Sequence, residues 1–274
     1  MINNNAIHVR ELIGWSLDEY EYRPSALTAV HLSEARQQIA LREPFTQRDA
    51  ILEKETSALQ DSFRPHTQRV DLLAEMAGLD WSVGVVDLRY LLAFQRRLSF
   101  PSDFSRPIIP MPRDWSALLA VSFGPSKAPE CEVFREPANN ALVLRSANPN
   151  LQLRFTNDTV APLAVHTGSP FFEVACFHNR WFLRDGYHRA YTLMQAGIFE
   201  VPAVVVYART LEELGATQSW FFPQDILFSD HPPYVSDFLK DDLVLEYKRP
   251  ALIKTLRITT EDILAPASST GELL

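Results

Sequence analysis

The 274-residue chain carries 26 Lys and Arg against 34 Asp and Glu, and its formal net charge of −8 argues against a general nucleic-acid binder. With 46% hydrophobic, 11% aromatic and 22% charged residues it has the makings of a sizeable core, which excludes wholesale disorder. None of the nine glycines forms G-x-G or the ends of G-x-x-x-x-G-K, the two cysteines lie far apart, and neither H-E-x-x-H nor G-x-S-x-G occurs, so dinucleotide-fingerprint, Walker-loop, zinc-ribbon, zincin and serine-hydrolase readings lose their usual signatures.

The opening Met1-Ile2-Asn3-Asn4-Asn5 soon meets Glu11, Asp18 and Glu19, unlike the basic-then-apolar layout of a secretory signal. Apolar runs such as Val201 to Ala208 are far shorter than the roughly 20 residues of a membrane span, so a cytoplasmic, reduced protein is the expectation. Residues 1–80 read as a helical extension: Leu27, Val30, His31 and Ala35 give one face, and Ile51, Leu52, Leu59 and Phe63 another. Pro44 and Pro65 are expected to cut it, Thr46 to cap its middle piece and Gly78 to stop its last.

From Trp81 the pattern changes. Val83-Gly84-Val85-Val86-Asp87 reads as a buried strand running into a helix or loop over Leu88 to Arg97. Residues 99–113 hold Pro101, Pro107, Pro110 and Pro112 and read as loop. Cys131–Arg135, Ala141–Arg145 and Leu151–Phe155, with Asn-rich turns between them, suggest a small antiparallel meander. Phe171–Phe177 and Trp181–Leu183 flank His178-Asn179-Arg180 as a hairpin, Asp185–Ala196 reads as a helix closed by Gly197, and Val201–Tyr207 as a buried strand. Strand, helix and strand suggest a βαβ-like unit in a mixed sheet. Residues 210–274 are acidic over basic by roughly two to one.

The informative segment is Asp185-Gly186-Tyr187-His188-Arg189. A helix starting at Gly186 places two potential cations in its first turn, where the macrodipole disfavours positive charge by roughly 0.3 to 1 kcal/mol. An incoming anion would offset this, because free backbone N–H groups beside a bidentate guanidinium make a ready phosphate site. The plainer reading has Asp185 capping the helix and pairing with Arg189 while His188 packs. Gln95-Arg96-Arg97 could reach a phosphate or be a solvated helix end; His166 and His178 fall at a loop and a turn; Trp220-Phe221-Phe222 could stack on a base or pack in the core.

The box, followed by Gly197 and the Val201-Pro202-Ala203-Val204-Val205-Val206 strand, resembles the ParB/sulfiredoxin fold over about residues 165–208, and more faintly over Val83–Arg97, where the family has an early strand leading to an arginine. The resemblance implies an α/β (α+β) class, a ParB/sulfiredoxin-like mixed sheet over 81–208 interrupted by a β-rich insertion at about 99–165, and an acidic extension over 209–274. It implies nucleotide phosphates (ATP or ADP, or CTP, with Mg) held by Gly186, Tyr187, His188, Arg189 and Arg97, and Asp185 and His188 in catalysis, Asp185 either orienting His188 or binding the nucleotide's magnesium, with no separate protein metal site. Tyr187 stands where sulfiredoxins have their reactive cysteine, which argues against that reductase chemistry. Free serine kinases of this fold carry D-G-H-H-R, one residue different, which implies phosphoryl transfer to a small hydroxyl, with Asp87 and Glu173 the nearest candidates for a base. The alternatives are a non-catalytic, nucleotide-responsive interaction module and a ParB-like nuclease. The expected partners are a nucleotide and a small substrate rather than a membrane or nucleic acid.

Overall fold

A four-stranded mixed sheet positions the box. The computed structural model describes residues 6–101, 109–126, 128–155, 160, 162–261 and 263–264. Along the chain run β1 (Ile7–Leu12), α1 (Ser25–Ala40), α2 (Glu53–Ala58), α3 (Gln60–Thr67), α4 (Val70–Glu75), β2 (Trp81–Asp87), β3 (Arg97–Phe100), α5 (Trp115–Ser122), β4 (Glu132–Glu136), β5 (Ala141–Ser146), β6 (Gln152–Phe155) and β7 (Leu163–His166). They are followed by β8 (Glu173–Phe177), β9 (Arg180–Asp185), α6 (Tyr187–Gln195), β10 (Glu200–Tyr207), α7 (Leu211–Leu214), α8 (Gln224–Leu227), β11 (Val244–Arg249) and β12 (Lys254–Thr259). The protein belongs to the α+β class.

Two compact units divide the chain, the larger from Met1–Lys127 and Ser169–Ala251, the smaller from Ala128–Gly168 and Leu252–Leu274. The larger holds the sheet β2-β10-β8-β9 and the sheet β11-β1-β3; the smaller holds β12-β5-β4 and the β6-β7 pair. The insertion therefore begins later than position 99, since β3 and α5 belong to the larger unit, and the expected C-terminal extension is not one body. β11 pairs with β1 in the larger unit, whereas β12 pairs with β5 in the smaller.

In the four-stranded sheet β10 runs parallel to β8 and antiparallel to β2, and β8 and β9 form the expected hairpin. Its turn residues His178 and Asn179 adopt φ 48° and 59°, the doubly left-handed geometry that matches the twist of paired strands. The βαβ-like expectation needs correction: β9 and β10 are not the parallel pair, since the hairpin reverses the chain before α6 crosses over. Val85, Val86, Val174, Ala175, Phe182, Leu183 and Val201 to Val206 of this sheet are buried. Such a near-continuous apolar run is what a strand covered on both faces requires.

Other sequence expectations also change. The N-terminal extension is not wholly helical, because β1 is the central strand of its sheet. Its charged Arg10 and Glu11 hide the alternation, yet Glu11 is buried with Arg23 and Tyr247 as partners. Among the described side chains of α1 the buried ones are Ala35, a member of the expected face, and Ile39 one turn later, while Val30 is exposed. Pro65 lies inside α3 instead of ending it; the bond it forgoes is to Asp61 on an exposed turn, where water can replace the donor. Thr46 caps nothing, as α2 begins after Leu52. Leu88–Tyr90 forms one tight turn and Leu91–Gln95 is extended, with isolated bridges from Leu92 to Phe182 and Tyr234. The three-strand meander is a β4–β5 hairpin completed by β12, while β6 pairs with β7.

Candidate functional site

The box sits where β9 gives way to α6. Gly186 is the N-cap residue at φ 104°, and a Cβ placed there would meet Phe172 Cδ2 at 2.9 Å, so both the backbone and the close packing call for glycine. Tyr187 turns inward. Its buried hydroxyl accepts N–H bonds from Phe94 (3.0 Å) and Gln95 (3.3 Å), and its ring meets Phe94 and Phe238 edge-on. Burial raises its phenol above the ordinary range, so it is a neutral acceptor fixing the chain after Leu92.

His188 places Nε2 3.0 Å from the Ser99 carbonyl and packs edge-on against Phe100. Burial, opposed by that carbonyl and reinforced by Arg189, lowers its basicity, so the neutral ring with the proton on Nε2 is the form that fits. This answers the dipole argument for the first of the two expected cations.

Arg189 answers it for the second. Its guanidinium donates to the carbonyls of Val121 (3.2 Å), Pro170 (2.7 Å) and Phe171 (2.6 Å), and lies 3.5 Å from Asp185. Val121 is in the last turn of α5, so one of these bonds satisfies an orphan helix carbonyl. Asp185, about a third of whose side chain is accessible, also accepts the Ser169 N–H at 3.3 Å. Burial raises its carboxyl while Arg189 and the Ser169 and Gly186 N–H groups oppose the rise.

Beside it, at the same register position across β8 and β9, stands Glu173. Only 2% of its side chain is accessible; one oxygen meets Arg184 Nη1, and Oε1 has no hydrogen bond. Burial pushes its carboxyl up to about 7, further than Arg184 can pull it back, and Asp185 adds to the rise. The Ser122 hydroxyl is also buried without a partner. Arg184, adjacent to the box, has no role in the sequence expectations; its signal is an arginine directly preceding Asp185 at the end of a strand whose middle is apolar.

The other candidates lie apart. Arg97 binds Asp18, lies 3.5 Å from Glu11, and stacks 4.1 Å from the Tyr20 ring centre, on the β1 side of β3 rather than in the box. Arg96 is buried, donating to the carbonyls of Phe221 and Ser16 above the Phe222 ring, which rules out the solvated helix end. Phe222 is core, whereas Trp220 is 46% exposed. His178 stacks on Phe177 in the hairpin turn, and His166 is on β7 of the smaller unit.

Asp87 is clasped by Arg89 and lies opposite Glu200 in the register of β2 and β10; Arg113 holds Glu200. Beside them is a cavity of about 240 Å³ whose lining includes Arg89, Arg113, Gly197 and Phe199. Its two arginines already have carboxylate partners, so it offers an anion no excess charge.

The residues of the box do not fit the nucleotide that the resemblance implied, because the guanidinium meant for phosphate is held by carbonyls and the imidazole by another. Among the described residues no group of three His, Cys, Asp or Glu could hold a metal ion, and no helix is long and apolar enough to cross a membrane. Comparison with protein-family models, curated proteins and solved structures gave no match to this chain.

Proposed function

We propose that this chain is a non-catalytic interaction module in which the D-G-Y-H-R box holds the fold together instead of gripping phosphate. The observation that carries the reading is Arg189, whose guanidinium bonds to three backbone carbonyls from two separate segments. A guanidinium that satisfies buried carbonyls is costly to withdraw, since each bond lost leaves a polar group unpaired. Contact surface is available in the smaller unit, where Val133, Phe134, Leu142 and Ile253 are exposed and β4 is, among the described residues, an edge strand.

Titration calorimetry with ATP, ADP and CTP in the presence of magnesium tests it. No saturable heat below millimolar concentration is expected, nor any nucleotide-dependent rise in melting temperature. Micromolar binding lost in a folded Arg189→Lys variant would overturn the reading.

A second reading, phosphoryl transfer to a small hydroxyl, has one observation in its favour: Glu173 lies beside Asp185 with its carboxyl held near neutrality, as a general base requires. Its test is turnover of labelled nucleotide with a pool of small alcohols, abolished by Glu173→Gln. The nuclease reading rests on the resemblance alone.

A further inference from the structure

The box and its neighbours converge on the two stretches between which the first segment of the smaller unit is inserted. On the outgoing stretch, Arg69 donates to the carbonyls of Phe123 (2.6 Å) and Gly124 (2.9 Å), and Asp71, itself bound by Arg69, accepts the Ser126 hydroxyl at 2.5 Å. On the returning stretch, Asp185 takes the Ser169 N–H and Arg189 the carbonyls of Pro170 and Phe171. The two stretches are tied to each other by Phe172 N–H to the Ser122 carbonyl at 2.8 Å, and Arg189 reaches Val121 as well. Glu173 follows directly, buried, with one oxygen lacking any hydrogen bond.

We propose that the Glu173–Asp185 pair is a pH-sensitive latch on this joint, closed while the pair shares a single negative charge and loosened when both carboxyls are ionised. Two carboxylates at one cross-strand position repel. An ionised Glu173 with Oε1 unbonded draws water or a donor toward it, and the Ser169 hydroxyl on the returning stretch is beside it.

The charged and titratable groups around Glu173 are Arg184 and Asp185 on β9, Arg189 on α6 and Glu75 at the end of α4, with the Ser169 hydroxyl beside them. Arg184 and Arg189 favour ionisation; Asp185 and Glu75 oppose it. The Asp71 carboxyl behaves oppositely: Arg69 holds it well below the usual carboxylate range, so the outgoing clasp does not change near neutrality. The sign follows from the direction of the Glu173 shift. Below the ordinary carboxylate range folded and unfolded chains are both protonated; from there up to about 7 only the folded chain keeps the proton, so the contribution to stability is full at low pH and declines as pH rises through about 7.

Hydrogen exchange read by mass spectrometry on the full chain between pH 5.5 and 8.5, corrected for intrinsic exchange, tests the latch. Peptides spanning 169–174 are expected to lose about tenfold in protection between pH 6 and 8, a change not shared by β2 or β10. Glu173→Gln, which cannot ionise, is expected to keep the joint protected throughout. Glu75→Gln removes one opposing charge and is expected to move the transition to lower pH. Protection independent of pH in the unmodified protein, or an unchanged transition in Glu173→Gln, overturns the proposal. Should Glu173→Gln fail to fold, an unmoved transition in Glu75→Gln overturns it equally.

Discussion

Two places in the four-stranded sheet set acid against acid. Asp87 faces Glu200 across β2 and β10, and Glu173 faces Asp185 across β8 and β9, and each pair has two arginines beside it. In the first, Arg89 and Arg113 are 53% and 62% exposed, and both Asp87 oxygens receive bonds from Arg89. In the second, Arg184 and Arg189 are 16% and 23% exposed, most of the Arg189 bonds go to carbonyls, and one Glu173 oxygen is bare. The same charges thus give one clasp whose arginines lie in solvent although Asp87 itself is buried, and one cluster whose arginines are mostly covered and whose groups are interdependent. Water, more than residue type, separates the two.

Substitutions can break or sharpen that contrast. The largest effect is expected from Arg189→Ala, which strands Asp185 and three carbonyls at once and should cost about 3 kcal/mol in urea unfolding. A loss as small as that of an ordinary surface arginine would mean the buried cluster is no tighter than the exposed one. Next comes Gly186→Ala, where the added Cβ meets both the positive φ and the Phe172 ring that precedes Glu173 in the chain. About 2 kcal/mol is expected, visible as a lower melting temperature with an unchanged far-UV spectrum. The smallest is Arg113→Ala on the exposed pair, whose unfolding midpoint should coincide with that of the unmodified protein, because open ion pairs add little. A clear drop would show that the Asp87–Glu200 clasp matters as much as its buried counterpart.

Local chemistry was legible where its cause is local. The hairpin at His178-Asn179, the helix opening at Gly186 and the strand over Val201–Val206 follow from turn residues, a missing Cβ and β-branched runs. β1 was missed because its charged residues find partners elsewhere, Glu11 in Arg23 and the Tyr247 hydroxyl and Arg10 in Asp241 and Glu246, and β12 was missed because its partner lies in another segment. The box shows the same divide. Its place at a helix start could be read from five residues, but nothing in them tells that the carbonyls of Val121, Pro170 and Phe171 would reach Arg189 before a phosphate could. Carbonyl positions are a property of the assembled backbone, which every residue type shares.

The pairing of β1 with β11, and of β5 with β12, also sets a timetable for biosynthesis. An early strand leaves the ribosome long before the segment that completes its ladder, and in both units the late partner comes from the region after Leu243. Neither sheet can be completed before that region has been made, so until then each lacks one of its three strands. Pairings across so long a stretch of chain pay a large loop-closure entropy before they are rewarded, which makes them the slow steps of folding.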